Sequence, residues 1–243
     1  MSQVDGHDAA TVLLVAAGGL AREAAATAHA AGVRVLGCLD DAPGTWGREV
    51  APGLSVLGGL ELAAEHAGAG LIVCAGKGSV RERIVERLGV LGVSPDRYAT
   101  LVHPRAFLAP DTVVGSGTLV LAGVVATAGV VIGPHVVVMP NVVLTHDDHL
   151  EPFATVCAGV VLGGGVRIGR AAYIGMAASI REGRTVGPRS LVGMGAVVLR
   201  DIGEDETWVG VPAASRVQRS HAPSVDPGLE RPRRRSAEMP GST

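Results

Sequence analysis

Every sixth residue from Val102 to Val198 is apolar, seventeen positions in an unbroken row, and all but Ala126 are branched aliphatics. A second lane follows four residues after the first. It holds small or β-branched residues from Ala106 and Thr112 to Ser190 and Ala196, with Asp148 and Arg184 as the clear exceptions. A helix repeats every 3.6 residues and a strand every 2, so neither produces this spacing. A short repeat cannot bury its apolar residue alone, and stacking of neighbouring repeats supplies the core. Gly follows the lead residue at Gly115, Gly133, Gly163, Gly169, Gly175, Gly187 and Gly193, a spacing that suggests tight corners needing backbone freedom.

The pattern resembles the hexapeptide repeat of left-handed parallel β-helices, in which three hexads form one triangular coil. That resemblance implies five to six coils, about 27 Å of prism at the spacing of neighbouring strands, with every eighteenth residue in one lane. It also disposes of a membrane-like stretch. Thr112 to Thr145 carries no Asp, Glu, Lys or Arg and exceeds the ~20 residues of a spanning helix. Yet it is rich in Val and is interrupted by Gly115, Gly123, Gly133, Pro134 and Pro140, a composition for strands and turns. No membrane partner is expected.

Residues 11 to 100 read differently. Thr11 to Ala16 is a buried-strand run, Ala17-Gly18-Gly19-Leu20 a turn, Ala21 to Gly32 a strong helix former, and Val33 to Leu39 a second strand ending at Asp40-Asp41. This is a βαβ unit with an acidic pair about twenty residues after the glycine turn, an arrangement that holds nucleotides at the carboxyl ends of parallel strands. Ala16 stands where the fingerprint's first Gly would be. A further strand, Leu71 to Ala75, meets Gly76-Lys77-Gly78. Ser79 to Leu88 reads as a helix with Ser79 as N-cap. The expected organisation is a disordered segment 1–10, an α/β Rossmann-like domain 11–100, an all-β left-handed parallel β-helix 101–217, and a disordered Pro- and Arg-rich tail 218–243.

The net charge of -2 lacks the cationic footprint that nucleic acid requires. Cys38, Cys74 and Cys157 are too few and too scattered for a disulfide framework, and the first ten residues lack a basic leader region. A cytoplasmic location is the expectation.

The order of these pieces resembles the sugar O- or N-acyltransferases of the NeuD and PglD type. The resemblance rests on AAGGLARE, LDD, CAGKGSVRERI, LVHPRAFLAP, THDDHLEPFATVCAGVVLGGGVRIG and WVGVPA, and covers about residues 11 to 217. It implies a homotrimer that uses acetyl-CoA to acylate an amino or hydroxyl group of a sugar or sugar nucleotide. Gly18, Gly19, Leu20, Asp40, Asp41, Gly76 and Arg81 would meet the acceptor. Thr155, Gly164, Gly175, Met176, Met194, Gly195, Val211, Pro212 and Ala213 would lie along CoA. Three positions depart from the family pattern: Leu20 and Thr155 replace histidines, and Lys77-Gly78 replaces an Asn-containing pair. A non-sugar acceptor from secondary metabolism, or a catalytically silent scaffold, are the alternatives these departures leave open.

Acyl transfer from a thioester needs a base and an oxyanion donor. The least regular hexad, Leu144-Thr145-His146-Asp147-Asp148-His149, is where the repeat fails, and local failure of a strict rule points to function. His146 is the candidate base, with Asp147, or alternatively Asp148, as its orienting carboxylate. Gly164, eighteen residues on, would offer its N–H to the oxyanion. His103 is expected to pack at the first coil, and His135 and His149 to lie on the surface. Cys157 reads as a small coil residue. No His-x4-His pair is present, so the zinc site of the γ-class carbonic anhydrases, which share the fold, is not expected.

Overall fold

The computed structural model describes residues 11–216 and the two-residue strand β1 (Gln3–Val4), which pairs in parallel with Val113–Val114. The expectations for the remainder of 1–10 and for 218–243 fall outside the described residues.

The first half is an α/β layer. Strands β2 (Thr11–Val15), β3 (Arg34–Leu39), β4 (Glu49–Ala51), β5 (Leu54–Gly58) and β6 (Gly70–Val73) form one sheet in the order β4-β5-β3-β2-β6. All are parallel except β4, which makes an antiparallel hairpin with β5. Helices α1 (Gly19–Ala30) and α2 (Gly78–Val90) follow β2 and β6. Chain order reverses between β2 and β6, the switch point at which open α/β sheets take ligands. Ser79 does not cap α2: the cap position is Lys77, with no side-chain bond to the helix. The chain turns there because Gly78 is pressed onto the second half, where a Cβ would lie 2.0 Å from the Phe153 carbonyl oxygen. The Asn-like pair of the family is thus replaced by a glycine that the packing demands.

The second half is a parallel β-helix with the left-handed coil of the hexapeptide-repeat fold. Among the described residues, seventeen two-residue strands run from Leu101–Val102 to Val197–Val198. Through Ser179–Ile180 each pairs eighteen residues on, as Leu119 with Val137 and Val137 with Thr155. The strands build three flat faces: one through Leu101, Val137 and Tyr173, one through Phe107, Val143 and Ser179, and one through Val113, His149 and Thr185. Lead residues such as Ile132, Leu144, Leu162 and Ile174 have no exposure and stack along the axis with the second lane between them. The strand after the last coil (Thr207–Val209) turns back on Ala214–Ser215 and closes the prism end. Among the described residues no helix is long and apolar enough to cross a membrane.

The glycines after the lead residues serve a different purpose from the one their spacing suggests. None of the seven has positive φ; that conformation falls two residues later, at Gly117, Gly123, Gly129, Gly165 and also at His135, Asn141, Asp147 and Phe153. What the lead-following glycines lack is room. A Cβ at Gly163 would lie 2.6 Å from the Glu182 nitrogen, and one at Gly175 2.6 Å from the Met194 nitrogen.

The two halves are joined by packing and by one buried cation. The apolar side of α1 (Leu20, Ala21, Ala24) lies on the first face of the prism at Leu101, Leu119 and Val137. Arg81 of α2 has no exposure. Its guanidinium donates to the carbonyls of Ala75 and Gly76 on one side, and to those of His135, Phe153 and Ala154 and the Thr155 hydroxyl on the other.

Candidate active site

His146 and Asp147 occupy the corner between the second and third faces. The His146 side chain is 69% exposed, so the ring stands outside the prism, and its Nδ1 lies 2.9 Å from Asp147 Oδ2. Asp147 reaches back because its own backbone is in the left-handed region, φ 63°, a conformation Asp tolerates better than most residues. With Nδ1 held by a carboxylate as a donor, Nε2 is left as the proton acceptor. The other edge of the ring rests on Gly164: a Cβ there would lie 2.2 Å from Nε2. The Gly164 N–H enters none of the backbone bonds of its coil, whereas its carbonyl accepts from Gly183. Imidazole, carboxylate and free amide thus meet at one corner. Asp148 points the opposite way, into the wall of the prism, and bonds backbone N–H groups.

The expected CoA residues divide. Met176 and Met194 are 51% and 73% exposed and stack in one lane on the corner between the first and second faces, with Gly175 and Gly195 beside them and exposed Val211 and Pro212 beyond. An apolar strip of this kind fits the pantetheine arm of CoA. Thr155 lies elsewhere. It is fully buried, donates to the Gly76 carbonyl at 2.8 Å and accepts from Arg81 at 2.9 Å. Cys157 is buried as well, and burial pushes its thiol up, away from the thiolate that covalent chemistry needs.

At the carboxyl ends of the sheet the structure gathers Gly18, Gly19 and Gly76 about the switch point. A groove of about 330 Å³ at the start of α1 is lined by Ala17, Gly18, Gly19, Arg22, Arg48, Glu49 and Val50. A cleft of about 540 Å³ at the start of α2 is lined by Gly76, Lys77, Gly78, Ser79 and, from the prism, Ala171, Tyr173, Arg189, Ser190 and Leu191. Asp40 accepts the N–H groups of Ala17 and Ala42 at 2.9 Å. Asp41 accepts from Leu60 at 3.1 Å and pairs with Arg87 at 3.1 Å. Asp40 therefore braces the turn that shapes the groove, while Asp41 ties α2 to the turn after β5. Leu20 is buried under α1 and Arg81 is enclosed by protein, so neither side chain opens on either cavity.

Four side chains were missed or misplaced by sequence reasoning. Arg22 and Arg48 had no motif to mark them. Tyr173 had a signal, since it is one of two tyrosines in the chain and stands on the outward side of a hexad. His135 is not a surface group. It is 7% exposed, stacked on Phe153 with ring centres 4.9 Å apart and edge-on to Tyr98 at 4.6 Å. Burial, with Arg81 and Arg170 adding, lowers its pKa to about 4. His103 is half-buried at the first coil, where its Nδ1 accepts the Arg105 N–H, and His149 is half-buried on the third face.

A model of the PglD N-terminal domain family matches residues 11–88. The acetyltransferase domain of PglB from Neisseria gonorrhoeae, solved with acetyl coenzyme A, is 30% identical; the alignment covers 86% of this chain and 100% of that one, with a TM-score of 0.77. The chain belongs to the PglD-type sugar acyltransferases. A His-to-Asn variant of perosamine N-acetyltransferase from Caulobacter crescentus, in complex with CoA and GDP-perosamine, is 28% identical over 85% of this chain and 96% of that one, TM-score 0.78. WeeI from Acinetobacter baumannii, at 20% identity and a TM-score of 0.61, shares the fold. No curated protein sequence matches the chain. In this PglD-type acyltransferase the Gly turn, the second βα turn and the acid-flanked histidine all stand at the sites that the geometry marks.

Proposed function

We propose that the protein transfers the acetyl group of acetyl-CoA to the amino group of a nucleotide-linked amino sugar, with His146 as general base. The observation that carries this reading is the exposed imidazole, fixed by Asp147 at Nδ1 and laid with its Nε2 edge against Gly164. The acceptor nitrogen attacks the thioester carbonyl as His146 Nε2 takes its proton. Asp147 stabilises the imidazolium, and the Gly164 N–H donates to the oxyanion. The carbon–sulfur bond then breaks, and the proton passes from His146 to the departing CoA thiolate. Acceptors of the relatives' kind, GDP-perosamine in the Caulobacter complexes, suit the N-terminal half: the Gly18–Gly19 amides with Arg22 and Arg48 offer donors to a diphosphate, and the neighbouring cleft has room for a sugar.

The three corners of the prism divide the work. The base sits on one, the apolar CoA strip on a second, and α2 with its cleft on the third. One protomer therefore separates base, thioester and acceptor, and a homotrimer would bring corners of adjacent protomers together. Its location, by the same reading, is the cytoplasm, where acetyl-CoA and sugar nucleotides are made. The test is thiol release from acetyl-CoA against a panel of amino-sugar nucleotides that includes GDP-perosamine, with light scattering for assembly. Release is expected to require an acceptor and to vanish in His146→Ala while the trimer persists. A fully active His146→Ala enzyme removes the assignment.

A further inference from the structure

Asp148 breaks the second lane more sharply than any other residue near the base. Val130 and Val166 stand one coil before and after it, both fully buried, and Asp148 is fully buried too. A carboxylate thus sits where the prism otherwise stacks methyl groups. Desolvation pushes its carboxyl up to about 6, against the pull of two N–H donors and of His146, with Asp147 adding to the rise.

Its two oxygens have separate tasks. Oδ2 accepts the Thr145 N–H and Oδ1 the Val166 N–H, each at 2.8 Å. Both donors are drawn out of the regular bonding of the coil. Elsewhere the residue after a lead donates to the lead carbonyl one coil on, as Thr127 does to Leu144 and Gly163 to Ile180. Thr145 turns its N–H to Asp148 instead, and its hydroxyl donates to the Leu162 carbonyl at 3.0 Å. The residue four after a lead often donates within its own turn, as Ala172 does to Gly169; Val166 reaches across a coil. Strand pairing registers the break, for Val143 pairs with Val161 but Leu144 and Leu162 do not pair. One carboxylate therefore links the turn that carries His146 to the turn that carries Gly164.

We propose that Asp148 is a positioning residue: it fixes the His146 turn against the Gly164 turn and so sets the distance between base and oxyanion donor. The inference rests on the assignment of His146 as base. The ionised carboxylate accepts both N–H groups. A proton on either oxygen displaces one donor, so the link loosens as pH falls. The titratable groups facing Asp148 are His146 and Asp147 of its own turn; the coils on either side present Val130 and Val166.

The test compares the parent with Asp148→Val, Asp148→Asn and His146→Ala, using acetyl-CoA and GDP-perosamine from about pH 5 to about pH 9. Asp148→Val restores the residue of the adjoining coils and is expected to fold. Its kcat should fall about 30-fold or more, with the acceptor KM changed less than about twofold, as for a misplaced base. The acid limb of log kcat, steeper than unit slope in the parent because two groups must lose protons, should relax to unit slope. Asp148→Asn keeps one acceptor and should fall between. An Asp148→Val enzyme with parental kcat and an unchanged acid limb overturns the inference, as does an Asp148→Asn variant with the parent's kcat and acid limb. Inactive His146→Ala in the same assay leaves the base assignment standing, whereas full activity there removes both.

Discussion

Replacing Arg81 by Met asks whether one buried cation holds the two halves of the chain together. The guanidinium has no exposure and serves six acceptors, two on the turn after β6 and four on the prism. Each buried acceptor deprived of its donor costs roughly 1–3 kcal/mol, with strong non-additivity. Opposing this is relief of the cation's own desolvation. Burial lowers the Arg81 pKa from 12.5 to about 10, which corresponds to about 3 kcal/mol. The net loss is then about 3–5 kcal/mol, the usual cost of removing one partner from a buried ionic cluster. At roughly 2–4 °C per kcal/mol for a chain of this size, the melting temperature should fall by roughly 10 °C.

Differential scanning calorimetry on Arg81→Met, Arg81→Lys and Thr155→Val measures this directly. Lys keeps the charge but has three donors and no planar fork, so it should lose nearly as much as Met. Thr155→Val should lose less, and less than additively when combined with Arg81→Met, because the two share a bond. Melting within about 2 °C of the parent in both Arg81 variants would refute the reasoning. If Arg81→Lys kept its stability and raised the acceptor KM instead, Arg81 would be meeting the acceptor, as the family resemblance implies.

Gly164→Ala places a Cβ 2.2 Å from His146 Nε2, so the ring must swing away; kcat should drop by about 10²-fold or more with little change in melting, read by steady-state kinetics and calorimetry. His135 is held neutral, with a folded pKa of about 4 against the ordinary 6.5 of an exposed histidine. Its contribution is present above pH 6.5 and is lost as pH falls toward 4, on the order of 3 kcal/mol in all. His135→Phe should therefore gain on the parent in melting temperature as the pH is lowered, and an unchanged gap between pH 7.5 and about pH 4.5 would contradict the shift. Asp148 has the opposite sign. Its folded carboxyl titrates at about 6 against 3.8, so its contribution is full below 3.8 and lost as pH rises through 6. Asp148→Val should accordingly melt higher than the parent at pH 7.5, by an amount worth on the order of 3 kcal/mol, and the gain should shrink toward pH 4.

The prism was legible because each hexad repeats the same physical demand: an inward aliphatic, a small neighbour and a corner. What the corners require was not. Positive φ is met by glycine at some coils but by His135, Asn141, Asp147, Phe153 and Arg189 at others, so composition hides a conformation the backbone adopts throughout. The glycines that do line up in sequence answer to the chain one coil on, as Gly163 does to Glu182, a contact visible only once the coils are stacked. The β4-β5 hairpin, ten residues from Glu49 to Gly58, was too short to carry a periodic signal.

The same contrast separates the parts of the site. His146, Asp147 and Gly164, the residues proposed for the chemistry, stand out in the sequence because a repeat with seventeen regular members makes an exception conspicuous, and because a step of eighteen says which residue faces it. Arg81, Thr155 and His135 belong to the contact between repeat and non-repeat, across sequence separations of 54 to 79 residues, where neither periodicity nor motif applies. A motif arginine close to a nucleotide turn reads as a ligand contact, yet a guanidinium surrounded by carbonyls performs the prior task of fixing that turn to the coil. Asp148 lies between these cases. Its position in the lane marked it as irregular, but only the two diverted N–H groups show that the irregularity connects the His146 turn to the Gly164 turn. Its ionised form is also disfavoured by burial at neutral pH, so stability alone gives no reason for a carboxylate there, and the geometry of the base turn does.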